Sequence, residues 1–445
     1  MINLRNFSLL FLTTTLFFCT SNQADAQNLL TLEEAVEIGL ENNYSLQISR
    51  NFLEIADNNY SLGNAGFFPS LDLTASRRES IEDSEFESAD GNSQTNTGAR
   101  STATNAAINL NWTLFDGLRM FSSYDRLGKI KEVRDEELRF DMENLVFEIS
   151  LAYFNLIRIS EQINVLQNNI DVSQERIEIE EAKVDVGSGS EYDLLQARSD
   201  LNADRALLLR EENFLTEARI RLNELLSRDP ETEFSVTRDI EVNRLLIRDE
   251  LYQKLMADNA ELSLARMQQD IARVELRELR GERFPEISLT SGYNYSSNQN
   301  DGGFFRFNET TGFSVGITAR VNIFNGFDTN RRVQNARINQ KNAELTLESR
   351  QLRLEADFLA TFRAYQNSLE LVDLEEQNLE NAEETLDIAL ERFRLGSISS
   401  LEFREAQRTF IAAENRLISA KFDAKIAEAE LRRLSGELEQ LISGS

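Results

Sequence analysis

One plan of about 210 residues is written twice in this chain, and that duplication constrains its fold more than any other feature. The stretch FFPSLDLTAS at 67–76 recurs as RFPEISLTSG at 283–292, so Phe68-Pro69 matches Phe284-Pro285. NLNWTLFDG at 109–117 recurs as TARVNIFNG at 318–326, and VGSGSEYDLLQA at 186–197 as LGSISSLEFREA at 395–406. The last match aligns Gly187 with Gly396. Pro230, in SRDPETE, falls between the copies and marks a linker. The expected organisation is a first repeat over 27–229, a linker over 230–247 and a second repeat over 248–445.

Each copy reads as helix, strand hairpin, very long helix, shorter helix. The first helix is expected over roughly 31–65, opened by Thr31 with Glu34 three residues on, a capping-box spacing. Two alternating stretches follow. Leu71, Leu73 and Ala75 alternate with Asp72, Thr74 and Ser76, while Ile108, Leu110, Trp112 and Leu114 alternate with Asn109, Asn111 and Thr113. The second copy runs Phe313, Val315, Ile317, Ala319, Val321, Ile323 with polar residues and Gly between. One apolar and one polar face per strand is implied, with hairpins over about 68–116 and 284–325. The stretches 80–104 and 297–311 are polar and read as the connecting loops.

From Leu138 the apolar positions step by four and three through Met142, Leu145, Ile149, Ala152, Leu156, Ile159, Ile163, Leu166 and Ile170 to Ile177 and Val184. That is a heptad seam. In the second copy the seven-residue step survives at Phe358, Tyr365, Val372, Leu379, Leu386 and Phe393. A helix over 118–186 would be about 100 Å long, too long for a compact domain. Glycine turns at 187–189 and 396 would return each long helix into a shorter partner, giving helical hairpins over about 118–227 and 327–436. Only three prolines occur in the chain, all near these boundaries.

Composition removes most chemistries. There is no histidine, so Ser-His-Asp and Cys-His nucleophile systems, HExxH zinc sites and His-ligated haem are excluded. With 47 basic against 76 acidic residues the net charge is −29, which argues against nucleic acid as a partner. No enzyme constellation, cofactor site or metal site is expected. The acidic stretch from Glu79 to Asp90 lacks a calcium-loop spacing and reads as solvated surface.

Residues 1–26 read as an export signal: Arg5, an apolar run from Phe7 to Phe18, then Ala24-Asp25-Ala26 as a small-x-small cleavage site. Cys19, the only cysteine, follows Phe18, where a lipidation motif would want a small residue. Beyond the signal no run approaches the roughly 20 apolar residues of a membrane helix. The two-faced strands are what a transmembrane barrel requires, but four strands cannot close one, and open edges are not tolerated in lipid. Several protomers would have to share a barrel. Two give eight strands and a filled interior; three give twelve and a lumen. An ordinary two-layer β-domain on a coiled-coil rod is the alternative.

These motifs, in the same order twice, resemble the TolC family of outer-membrane efflux proteins across essentially the whole mature chain. The resemblance implies a mainly α fold with a transmembrane β portion, assembled as a homotrimer with a twelve-stranded barrel in outer-membrane lipid. A twelve-helix periplasmic α-barrel would hang below it. It also implies a passive exit duct, docked to a periplasmic adaptor (membrane fusion protein) and driven by an inner-membrane transporter of the resistance-nodulation-division or ABC type. The family carries two gate carboxylates after the second turn glycine. Here those positions are Glu402 and Glu405, with Asp193 in the first copy. A spacing of three puts Glu402 and Glu405 on one helix face, which in a trimer gives two stacked rings. Ile398 stands where the family's best-known member has a basic residue, so the closing network should differ. The tips Gly187, Ser188, Gly189 and Gly396, Ser397, Ile398 are the implied adaptor contact. Alternatives of function are the duct of a type I protein-secretion system and, from another class, a non-pore periplasmic coiled-coil adaptor or scaffold. Trp112, Tyr293 and Tyr295 are candidates for an interfacial girdle.

Overall fold

The computed structural model describes residues 29–237, 240–302 and 305–437. The expected signal segment 1–26, and Cys19 with it, lies outside them. A short strand β1 (Leu29–Leu30) leads into α1 (Leu32–Asn42) and α2 (Tyr44–Asn59). A hairpin of β2 (Ser70–Glu87) and β3 (Ser93–Phe115) precedes the long α3 (Arg119–Asp185) and the return helix α4 (Glu191–Leu225). After β4 (Ser235–Val236), which pairs in parallel with β1, the plan repeats. The second copy comprises α5 (Arg248–Asp258), α6 (Ala260–Gly281), β5 (Glu286–Asn300), β6 (Phe307–Arg320), α7 (Asp328–Arg394) and α8 (Ser400–Leu434). Among the described residues no helix is long and apolar enough to cross a membrane.

Both long helices run for 67 residues, about 100 Å at about 1.5 Å per residue. Neither shorter helix matches that length, and the chain solves this by stacking two helices end to end beside each long one. Asn43 caps α2 by accepting from the backbone of Ser45 and Leu46, and its Nδ2 donates to Leu225 O, at the last turn of α4. Asn259 repeats the device, accepting from Leu262 N at 3.0 Å and donating to Leu434 O of α8 at 3.0 Å. One amide thus satisfies the free N–H of one helix start and the free C=O of another helix end. The expected single helix over 31–65 is therefore two: Thr31 does form its capping box with Glu34, but the chain turns at Asn43 to seat α2 on α4.

The main core lies at this junction level, where Leu32, Leu46, Ile149, Leu156, Leu222 and Leu226 are buried together. A Cβ at Gly39 would sit 2.3 Å from Ile149 Cδ1, so a larger residue here would have to push that buried side chain aside. Tyr153 Oη donates to Leu30 O at 2.9 Å and fixes the incoming strand to the same point. A second core of Leu255, Leu262, Phe358, Tyr365 and Leu431 does the corresponding work for the other half.

The four long strands form one antiparallel sheet in the order β2-β3-β5-β6. Its faces are sharply divided. The row Leu73, Ile108, Tyr293, Phe313 lies on one face, and the adjacent row Asp72, Asn109, Gly292, Ser314 on the other. Trp112 belongs to the apolar face, its indole N–H bonded to Phe67 O at 2.9 Å. The polar stretches expected as loops are strand instead: β2 and β3 continue to Glu87 and from Ser93, and β5 and β6 to Asn300 and from Phe307. Above the apolar band both faces are polar, so the ladder continues with no alternation to announce it. At the other end the alternation outlasts the strand. Val321 and Ile323 lie outside β6, because the last pair, Glu286 with Arg320, abuts Pro285, which has no N–H to extend the ladder.

The heptad seam holds from Leu145 to Ile170 and fails toward the tip. Ile177 and Val184 are only half-buried, while Ser173, Arg176 and Glu180 occupy the buried positions. The reason is the polar face that α8 turns toward α3.

Candidate functional site at the helical tips

Each helical hairpin ends in the same backbone device. Gly187 and Gly396 take φ of 73° and 69°, the left-handed region that favours glycine. Ser188 N bonds to Lys183 O and Gly187 N to Val184 O, a Schellman pattern repeated by Ser397 on Arg392 and Gly396 on Phe393. Gly189 sits within the first turn, its Cβ position already filled by Lys183, whereas Ile398 occupies the equivalent place in the second. Val186 and Leu395 project into solvent beside the glycines. Beneath the second turn Phe393 stacks on Phe403 with centroids 4.9 Å apart, and Lys183 Nζ lies 3.7 Å from the Phe393 centroid. The two hairpin tips are thereby held together within one protomer, helped by the Arg394–Glu175 ion pair.

The expected gate carboxylates take three different settings. Glu402 occupies the third position of α8 and accepts from Ser399 N and Ser399 Oγ, both at 2.8 Å, while Ser399 Oγ accepts from Glu402 N. It closes a capping box, and the Ser399 backbone and hydroxyl bonds hold its carboxyl below the usual carboxylate range. Glu405 is exposed one turn further on. Asp193 is half-buried in the first turn of α4. It lines a cavity of about 970 Å³ between α4 and α8 with Asp200, Asp204, Arg404 and Arg408.

The floor of that cavity holds a network that sequence reasoning missed. Arg404 donates to both oxygens of Asp204 at 2.7 and 2.8 Å, and Ser173 Oγ donates to the same carboxylate at 2.9 Å. Arg176, almost fully buried, donates to Asp200 at 2.8 Å and to Ser400 Oγ at 2.9 Å. Gln407 Nε2 donates to Asn169 Oδ1 at 2.6 Å and Ser173 Oγ at 2.9 Å. Burial acts against the Arg404 guanidinium, yet the hydrogen bonds and charge of Asp204, with that of Asp200, keep its pKa above the ordinary arginine value. The result is a clasp joining α3 and α4 of the first repeat to α8 of the second. Spacings of four, Asp200 to Asp204 and Ser400 to Arg404, were its only trace in the sequence.

A sheet with one apolar and one polar face, helices of about 100 Å beyond it and polar clasped tips are the shape expected of an outer-membrane channel protein. The outer membrane efflux protein family model matches residues 36–228 and 251–437, and the chain belongs to that family. It is a protein of the outer membrane with a large periplasmic portion, and its family is one of channel proteins. Outer membrane protein TolC of Vibrio cholerae is 23% identical over 347 residues, covering 75% of this chain and 77% of that one. Alkaline protease secretion protein AprF of Pseudomonas aeruginosa is 22% identical and covers 92% of this chain and 85% of its own. The crystal structure of the Campylobacter jejuni CmeC outer membrane channel superimposes with a TM-score of 0.76 at 16% identity, over 92% of this chain and 86% of that chain.

Proposed function

We propose that three copies of this chain form one passive exit duct, each contributing four strands to a twelve-stranded barrel and four helical columns to the tunnel below. The observation that carries this reading is the sheet with one apolar face and two unpaired edges, β2 and β6. In lipid those edges must pair, and β6 against the next copy's β2 continues the antiparallel order. The helices support it. Ile338, Leu345, Leu352 and Leu359 form an exposed seven-residue stripe on α7, and Tyr44, Ile48, Phe52 and Ile55 an exposed stripe on α2, the helix flanking the protomer's other side. A neighbouring copy would bury one stripe against the other.

A water-filled duct stores no energy, so export is driven by an inner-membrane transporter of the resistance-nodulation-division or ABC type acting through a periplasmic adaptor. The adaptor docks on the tips at Gly187, Ser188, Gly189, Gly396, Ser397 and Ile398. Glu402, Glu405 and Asp193 line the periplasmic gate, and the Arg404–Asp204 clasp holds it shut. The repeats over 27–229 and 248–445, joined by the linker 230–247, act as the two halves of each protomer. Family membership sets aside the non-pore scaffold. Protein secretion is the second reading, favoured by the name of AprF, a secretion protein matched over 92% of this chain.

The test is a double-cysteine variant, Phe52→Cys with Leu345→Cys, oxidised in isolated outer membranes. Lys131–Asp57 and Ser49–Asp141 fix the level of α2 along α3, and the repeat puts Leu345 of α7 at a matching level. A ladder of cross-linked dimer and trimer is expected; monomer alone would contradict the assembly.

A further inference from the structure

The face of the sheet opposite the apolar band is almost free of charge where it would cross the membrane. Over the four rows from Ser70 to Ser76, every residue on that face is Ser, Thr, Asn, Ala or Gly except Asp72. The surroundings of Asp72 are low. Its row continues through Asn109, Gly292 and Ser314, and a Cβ on Gly292 would lie 3.0 Å from Asn109 Oδ1, so the amide lies across the space a larger residue would fill. Among the described residues Asp72 forms no ion pair. The nearest charges on this face are Arg78, six residues up β2, and the cross-strand neighbours Glu286 and Arg320, six residues down β5 from Gly292 and β6 from Ser314, where Glu286 also pairs with Arg119. Six residues of strand span about 20 Å, about two Debye lengths at 0.1 M salt, so none of these groups cancels or duplicates the field of Asp72 within its band.

We infer that Asp72 sets the charge preference of the barrel lumen. This rests on the trimeric reading above: three Asp72 carboxylates then form a single acidic ring within an otherwise neutral wall. The ring favours cationic solutes, from alkali ions to cationic amphiphiles, and disfavours anions. It is separate from the periplasmic gate, because it lies in the sheet rather than at the helical tips.

The experiment uses the purified full-length trimer in a planar bilayer, with reversal potentials read in a KCl gradient. Three carboxylates each about 10 Å from the axis should change the K⁺ to Cl⁻ permeability ratio about fivefold at 0.1 M salt, about twofold from each ion. Asp72→Asn should lower the ratio by that factor, and Asp72→Lys should push it further toward anions. The change should be larger with the dilute solution on the side of the strands, where screening of this ring is weakest. Adding Asn109→Asp to Asp72→Asn returns a carboxylate to the same row and should restore the preference. Conducting variants with an unchanged ratio would overturn the assignment while leaving the duct intact. Absence of conductance steps from the unaltered trimer would overturn the duct reading itself.

Discussion

Arg404→Ala isolates the clasp from the rest of the tip. The guanidinium supplies two of the three hydrogen bonds to Asp204, whose side chain is 4% exposed, and leaves Ser173 Oγ as the remaining donor. Breaking a buried pair from one side costs about 3–5 kcal/mol. The adjoining cavity of about 970 Å³ admits water to the orphaned carboxylate, which lowers the figure to about 2–3 kcal/mol. Parting α4 from α8 hydrates Asp204 fully, so this cost falls on the closed arrangement alone. The closed-to-open balance should then shift about 30- to 160-fold per protomer. The assay is resting open probability of single trimers in a bilayer, with entry of a large antibiotic into intact cells as the cellular counterpart. Asp204→Asn keeps hydrogen-bonding capacity without the charge and should give a smaller increase. An open probability within about threefold of the parent, together with a lowered unfolding midpoint, would show that the clasp stabilises the tip without gating it.

Three further outcomes follow from named contacts. Asn259→Ala removes a cap worth about 1 kcal/mol and strands the buried Leu434 carbonyl at about 1–3 kcal/mol; chemical unfolding should show a larger loss than for Asn43→Ala, whose contacts are less buried. Burial first, then the like charges of Glu383 and Glu161, raise the Glu414 carboxyl from 4.5 to about 7. Between those values the folded chain binds more protons than the unfolded one, so this contribution is complete below about 4.5 and is lost as pH rises through about 7; thermal scans across pH should show a shallower decline for Glu414→Gln. Glu402→Gln retains an oxygen for the Ser399 cap, so any rise in resting conductance of the Glu402→Gln, Glu405→Ala pair reports lost charge, and unchanged conductance and selectivity would remove both from the gate.

What the sequence revealed followed from periodicity, and what it hid followed from the lack of it. Repeated Phe-Pro and Phe-x-Gly motifs marked both hairpins, and the heptads gave the long helices nearly to the residue. The break at Asn43 was masked because Tyr44, Ile48, Phe52 and Ile55 continue a helical apolar stripe across it. The upper halves of the strands carry polar residues on both faces and so mimic loops. Ser399 to Glu402 has the same spacing as Thr31 to Glu34, yet its acidic member was read for charge rather than for its cap. The clasp joins Asp204 to Arg404 across 200 positions of sequence, and nothing local connects them.

The central claim is that strands from three copies close one barrel. The most direct measurement is the mass of the particle extracted in mild detergent from separated outer membranes, with the detergent contribution subtracted. The duct predicts a stable assembly of three chains. A monomer would contradict it, because β2 and β6 would then have no partners in lipid, and a dimer would contradict it, because eight strands close a barrel filled by its own side chains.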